Sequence, residues 1–170
     1  MTDTSLVERV GDRLRETGAM VAVAESSTGG LVCSRLTDVP GSSEYFDRGV
    51  VSYSNAAKVE VLGVASATLD EHGAVSEPTA REMAVGVCEL AGTAWGVSTT
   101  GVAGPGGGTP RTPVGTVYIG VAHSDRDDGD TASVVTADRY EFDGSRGECK
   151  HKFTRQALTD LLAAIDERAD

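Results

Sequence analysis

Glu25-Ser26-Ser27-Thr28-Gly29-Gly30 places a carboxylate, three hydroxyls and a flexible turn where an apolar run meets a helical pattern. A plain connection needs one N-cap and one glycine. Capping by Ser27 or Thr28 explains one hydroxyl, not three and a glutamate. A serine at a strand end can point out of the sheet, and N–H groups of the following turn can serve an oxyanion. There is no G-x-S-x-G elbow, and His72, His123 and His151 show no triad signature. A serine nucleophile here needs a base other than histidine, and the available one is Lys58.

Lys58 is unusual by composition. The chain has twelve arginines and three lysines, and Lys58 is the only lysine before Lys150. With Asn55 as an N-cap, Lys58 falls at N3, in the first helical turn, where the helix dipole disfavours a cation. A lysine with a weakened hold on its proton suits a general base. The competing reading is an ordinary solvated lysine. The spacing from Tyr53 to Lys58 is one residue longer than the Tyr-x-x-x-Lys pair of short-chain dehydrogenases, which removes hydride transfer. A second segment, GVAGPGGGTPRTPV over 101–114, lacks the Gly-Lys-Ser/Thr of a P-loop and precedes a strand. It also lacks the third glycine and helix of a dinucleotide fingerprint. It is either a surface loop or a loop whose N–H groups approach a ligand at a strand end.

The elements that must position these groups follow from periodicity and capping signals. Ser5 to Glu8 reads as a capping box opening a helix to about Glu16. A short buried strand follows over 19–24, then a helix over 29–39 closed by Pro40-Gly41, a strand over 46–54 and a short helix from Asn55 through Leu62. Ser76-Glu77-Pro78 opens a longer helix with Ala80, Met83, Ala84, Val87, Cys88 and Ala91 on one face. Strands are expected over 93–100, 115–123 and 131–142, the last two joined as a hairpin by SDRDDGD. Ser145 caps a final helix whose stripe is Cys149, Phe153, Ala157, Leu161 and Ile165. Helices alternating with strands, then a hairpin and a helix, indicate one α/β domain, a three-layer α/β/α sandwich with a mixed, mostly parallel sheet.

Composition narrows the class. At 170 residues with 39% hydrophobic and 24% charged residues, the chain is a globular domain. A formal net charge of −11 argues against a nucleic-acid partner. No apolar run approaches the roughly 20 residues that span a bilayer. With no signal-peptide pattern at the N-terminus, a cytoplasmic protein is expected. Scarce lysine among many acidic residues resembles proteins of a high-salt cytoplasm. Cys33, Cys88 and Cys149 form no zinc spacing and read as small core residues.

Four segments together carry a resemblance: AESSTGG (24–30), GSSEYFDRGVVSYSNAAK (41–58), HGAVSEPTAREMA (72–84) and TGVAGPGGGTPRTPVGTVYIG (100–120). Their combination resembles the CinA C-terminal domain family, whose characterised enzymes are nicotinamide mononucleotide deamidases. The resemblance covers nearly the whole chain and implies a three-layer α/β/α fold. It further implies hydrolysis of the nicotinamide carboxamide to nicotinic acid mononucleotide and ammonia, with no metal and no cofactor. Longer relatives carry an N-terminal domain associated with pyrophosphatase activity, and residues 1–170 are expected to hold only the single C-terminal-type domain.

Matched motif by motif, Ser26 is the implied nucleophile, Lys58 its partner base, and Tyr53 lies nearby. Asn55 belongs to the same Tyr-Ser-Asn-x-x-Lys motif. Thr28, Gly29 and Gly30 match the Thr-Gly-Gly turn, Thr100 and Gly101 a Ser/Thr-Gly pair, and Ala103-Gly104-Pro105 an Ala-Gly-Pro segment. Arg146 matches the arginine of a Gly-Asp-Arg motif that here reads Gly144-Ser145-Arg146. Glu25 could orient Lys58, polarise the turn or fix a ribose; Arg146 could bind the phosphate or position the catalytic pair. Ser27 reads as incidental. The implied partners are a small nucleotide substrate and further copies of the chain, not a nucleic acid or a membrane. Two rivals remain: a nucleotide-binding module without turnover, and a hydrolase of another small amide.

Overall fold

Alternate residues of the Val21–Glu25 strand differ in size, and that difference sorts the two faces of the sheet. The computed structural model describes residues 3–125 and 132–169. Its strands are β1 (Val21–Glu25), β2 (Phe46–Val51), β3 (Trp95–Gly101), β4 (Thr116–His123) and β5 (Ser133–Glu141). The helices are α1 (Asp3–Thr17), α2 (Leu31–Thr37), α3 (Asn55–Leu62), α4 (Ser66–His72), α5 (Glu77–Ala91) and α6 (Arg146–Ala169), with a 3-10 turn at Ser42–Glu44. The strands order as β2-β1-β3-β4-β5. β1 is parallel to β2 and β3, and β4 runs antiparallel to both β3 and β5. Four of the five strands therefore point one way, as the mixed-sheet reading expects.

Val21, Val23, Val97, Val117, Ile119 and Val121 face α1, α2 and α6 and form the larger core cluster, with Phe153, Leu161 and Ile165 from α6. The opposite face is built from small residues. Ala22 and Ala24 pack with Met83 and Val87 of α5, and Ala122 with Ala84 and Cys88. A Cβ added at Gly96 would lie 2.3 Å from the Ala84 carbonyl oxygen, and one at Gly120 would lie 2.6 Å from that of Ala80. Small residues on β1, β3 and β4 thus let α5 lie directly on the sheet, and Ser98 donates to the Ala80 carbonyl at 2.6 Å. Among the described residues, no helix is long and apolar enough to cross a membrane.

Several boundaries differ from the sequence reading, each for a local reason. α1 begins at Asp3, so Ser5 lies inside the helix rather than capping it. α2 is shorter than 29–39 because Gly29 and Gly30 hold φ of +61° and +101°, outside helical space. α3 is capped by Ser54, whose hydroxyl accepts from the Ala57 N–H at 3.1 Å, so Asn55 is its first helical residue. Lys58 is accordingly at N4, one position later than expected. α4 has no counterpart in the reading; its N-cap position, Ala65, offers no side-chain cap to betray it. The β4–β5 pairing confirms the hairpin, while most of its SDRDDGD connection (126–130) lies outside the described residues.

Candidate active site

Three strands end together at one edge of the sheet, and their exits supply the polar groups. β1 ends at Glu25, so Ser26 is the first residue past the sheet. Its N–H still donates to the Thr99 carbonyl at 3.0 Å, and the Ser52 N–H donates to the Glu25 carbonyl at 2.8 Å. These two bonds extend the sheet ladder and fix Ser26 and Ser52 side by side. α3 then brings Lys58 back over the strand ends. Its ammonium nitrogen lies 3.1 Å from Ser26 Oγ, 2.7 Å from the Ser52 carbonyl oxygen and 3.4 Å from the Tyr53 carbonyl oxygen.

Lys58 is 1% exposed. Burial lowers its pKa, and no carboxylate is paired with it among the described residues. Desolvation weakens its hold on the proton. The three acceptors suit both protonation states. An ammonium can donate to all three. A neutral amine can donate to the two carbonyls and leave its lone pair to Ser26 Oγ.

Glu25 does something else. It is fully buried, and its carboxylate accepts from the N–H groups of Gly30 at 2.9 Å, Val32 at 3.1 Å and Cys33 at 2.9 Å. Thr28 Oγ1 donates to it at 2.5 Å and also contacts Thr99 Oγ1 at 2.8 Å. Gly30, at the N-cap position of α2, has no side chain to cap with, so Glu25 supplies the missing acceptor from β1. These hydrogen bonds of Glu25 thus run to the turn and the start of α2, and none of them runs to Lys58.

Ser26 and Lys58 lie on the wall of a cavity of about 290 Å³. Tyr53, Thr100, Gly101, Ala103, Gly104 and Arg146 complete the predicted residues that line it. Arg146 donates to the Gly104 carbonyl at 2.8 Å and lies 3.4 Å from the Tyr53 hydroxyl, tying α6, the glycine-rich loop and the β2–α3 connection together. Thr100 Oγ1 donates to the Ala74 carbonyl at 2.6 Å.

Five predicted substrate contacts fall outside the lining. Glu25, Thr28, Gly29 and Gly30 build the turn beneath it, and Asn55 lies in the exposed first turn of α3. A motif groups residues that line the cavity with residues that shape the chain around it. Sequence reasoning missed Ser27, Ala74, Val75, Val102, Gly106 and Gly107 on the wall. Ala74 and Val75 stand in the HGAVSEP segment, where a Gly-Ala-Val run just ahead of a capped helix was the only signal.

Ser145 caps the start of α6. Ser145 N–H donates to Glu148 Oε2 at 2.7 Å, and Glu148 N–H approaches Ser145 Oγ at 3.4 Å. This is a reciprocal capping box, and serine and aspartate are comparable N-caps. A larger cavity, about 630 Å³, lies at the opposite end of the sheet beside Trp95 and His123.

Comparison with known proteins agrees with this fold. The family model described as the CinA C-terminal domain matches residues 3–165. A CinA-like protein of Chlorobaculum tepidum is 54% identical over 166 residues, covering 98% of this chain and 38% of that protein. One of Chlorobium limicola is 50% identical over 165 residues, covering 97% and 38%. The chain thus spans well under half the length of these relatives. Among solved structures, a CinA superfamily protein of Klebsiella pneumoniae superposes with a TM-score of 0.89 at 31% identity, covering 98% of this chain and 99% of that one. A competence/damage-inducible protein of Agrobacterium tumefaciens gives 0.86 at 37% identity, covering 96% of each.

Proposed function

The chain belongs to the CinA C-terminal domain family, and from that premise we propose that it is an amidohydrolase converting nicotinamide mononucleotide to nicotinic acid mononucleotide and ammonia. The observation that carries the reaction class is the 3.1 Å contact between Ser26 Oγ and the buried, carboxylate-free Lys58 amine. The identity of the substrate rests on the motif resemblance.

In this mechanism Ser26 Oγ attacks the carboxamide carbon while its proton passes to neutral Lys58. The oxyanion needs N–H donors that are not already spent. Those of Gly29, Gly30 and Val102 are bound to the Ser26 carbonyl, the Glu25 carboxylate and the Thr116 carbonyl. Among the expected donors on the cavity wall this directs the role to Ala103 and Gly104. Collapse of the tetrahedral intermediate breaks the C–N bond, and Lys58 returns its proton to the departing ammonia. Water then attacks the Ser26 ester, giving its proton to Lys58, and the acid leaves as Ser26 is restored. Because burial sets the Lys58 pKa below its ordinary value, the rate is expected to rise with pH as the amine loses its proton.

The test is ammonia release from nicotinamide mononucleotide by wild type, Ser26→Ala and Lys58→Ala. Losses of about 10³-fold or more for Ser26→Ala and about 10²–10⁴-fold for Lys58→Ala are expected. Thermal stabilisation by the mononucleotide without ammonia would instead identify a binding module. Ammonia only from another amide would move the substrate. Full activity in Ser26→Ala would remove the nucleophile.

A further inference from the structure

In a chain of net charge −11, a cation near an opening tends to find a carboxylate. Arg13, Arg35, Arg81 and Arg168 each do so, with N–O distances of 2.6 to 3.1 Å. Arg146, on the wall of the 290 Å³ cavity, and Lys150, beside the Gly29 turn, do not. Arg146 spends its guanidinium on the Gly104 carbonyl and the Tyr53 hydroxyl, both neutral groups, and retains unused N–H donors. Lys150 stands four residues further along α6, so both side chains occupy one helix face about 5–6 Å apart at Cβ. Its ammonium lies 3.5 Å from the position a Cβ on Gly29 would take. That places it against the turn whose preceding residues, Ser26 and Ser27, line the cavity. Among the described residues, neither Arg146 nor Lys150 is paired with a carboxylate. Glu25, beneath the same turn, does not answer them, since its oxygens are occupied by three N–H groups and Thr28.

We propose that Lys150 acts with Arg146 as a subsite for a phosphate monoester at the cavity rim, making Lys150 a residue that selects a nucleotide over its uncharged nucleoside. The proposal rests on the amidase reading for its substrate, but not for its anion chemistry. The two cations divide the work by shape. Arg146 is anchored and presents a planar fork, while Lys150 is a mobile point charge on a flexible stem. Charge-assisted bonds to a dianion are stronger than neutral ones, and no competing carboxylate must be displaced first.

Two measurements separate this proposal from the reading beneath it. In the first, kcat/KM is determined for nicotinamide mononucleotide and for nicotinamide riboside. Lys150→Ala is expected to lower the nucleotide-to-nucleoside ratio about tenfold, chiefly through KM, and Lys150→Arg to restore most of it. An unchanged ratio overturns the proposal, as does an equal loss on both substrates. In the second, the melting temperature is followed against inorganic phosphate, with chloride at matched ionic strength as the control. Wild type should be stabilised by phosphate beyond chloride, and Lys150→Ala should lose that excess. Equal stabilisation of both proteins overturns the subsite. If wild type releases no ammonia from either substrate, the amidase reading fails while the phosphate titration still decides the subsite.

Discussion

Glu25 is a buried anion answered by backbone N–H groups rather than by a cation. Next to Ser26 and a buried lysine it would pass for a catalytic acid, yet all its bonds run to the turn and first residues of α2. Glu25→Ala leaves three N–H groups without their acceptor. The expected loss is about 3 kcal/mol or more, read as a fall in the midpoint of denaturant unfolding. A variant with wild-type stability and no activity would instead return Glu25 to the chemistry. Lys58 illustrates the converse. Its importance shows first in composition, because lysine is scarce here, and the structure supplies the reason in two carbonyls and one hydroxyl around a dehydrated amine. Ser26 and Ser27 are chemically alike in sequence. Only one of them lies within hydrogen-bond reach of that amine.

At the scale of elements, α6 does two jobs. Its first turn delivers Arg146 to the cavity wall, and its remainder covers one face of the sheet. Where it meets β5, Asp160 Oδ1 accepts from Tyr140 at 3.1 Å and from Gln156 at 2.7 Å, while Oδ2 is buried without a hydrogen-bond partner. Burial, aided by the charge of Asp138, pushes its pKa from 3.8 up to about 6. The folded state therefore holds this proton more tightly than the unfolded chain. The stability it contributes is complete below pH 3.8 and is lost as pH rises through about 6. Asp160→Asn should accordingly melt higher than wild type at about pH 7.5, with the gap closing near pH 4. A gap of the same size at both values would show that the carboxylate charge is not what destabilises the α6–β5 contact.

Over the whole molecule, the acidic excess is a repulsive field held close by the fold. Screening it should stabilise the protein, since the Debye length falls from about 10 Å at 0.1 M salt to about 3 Å at 1 M. A rise in melting temperature of roughly 2–4 °C over that range corresponds to about 1 kcal/mol for a domain of this size. A fall would show that the surface ion pairs, such as Arg13–Asp166 and Arg81–Glu77, outweigh the net repulsion. The sheet, the long helices and the capped starts at Ser76 and Ser145 were legible in the sequence because each follows from local periodicity or from one side chain bonding a nearby N–H. The short helix α4, uncapped by any side chain, was not. Composition likewise marked Lys58, the polar strand end marked Ser26, and the motif resemblance supplied Arg146. Only the tertiary structure could tell which motif residues face the cavity and which support it. That distinction depends on where strand ends far apart in sequence converge, Glu25 beside Val51 and Thr99, and on which hydrogen bonds have already consumed each polar group.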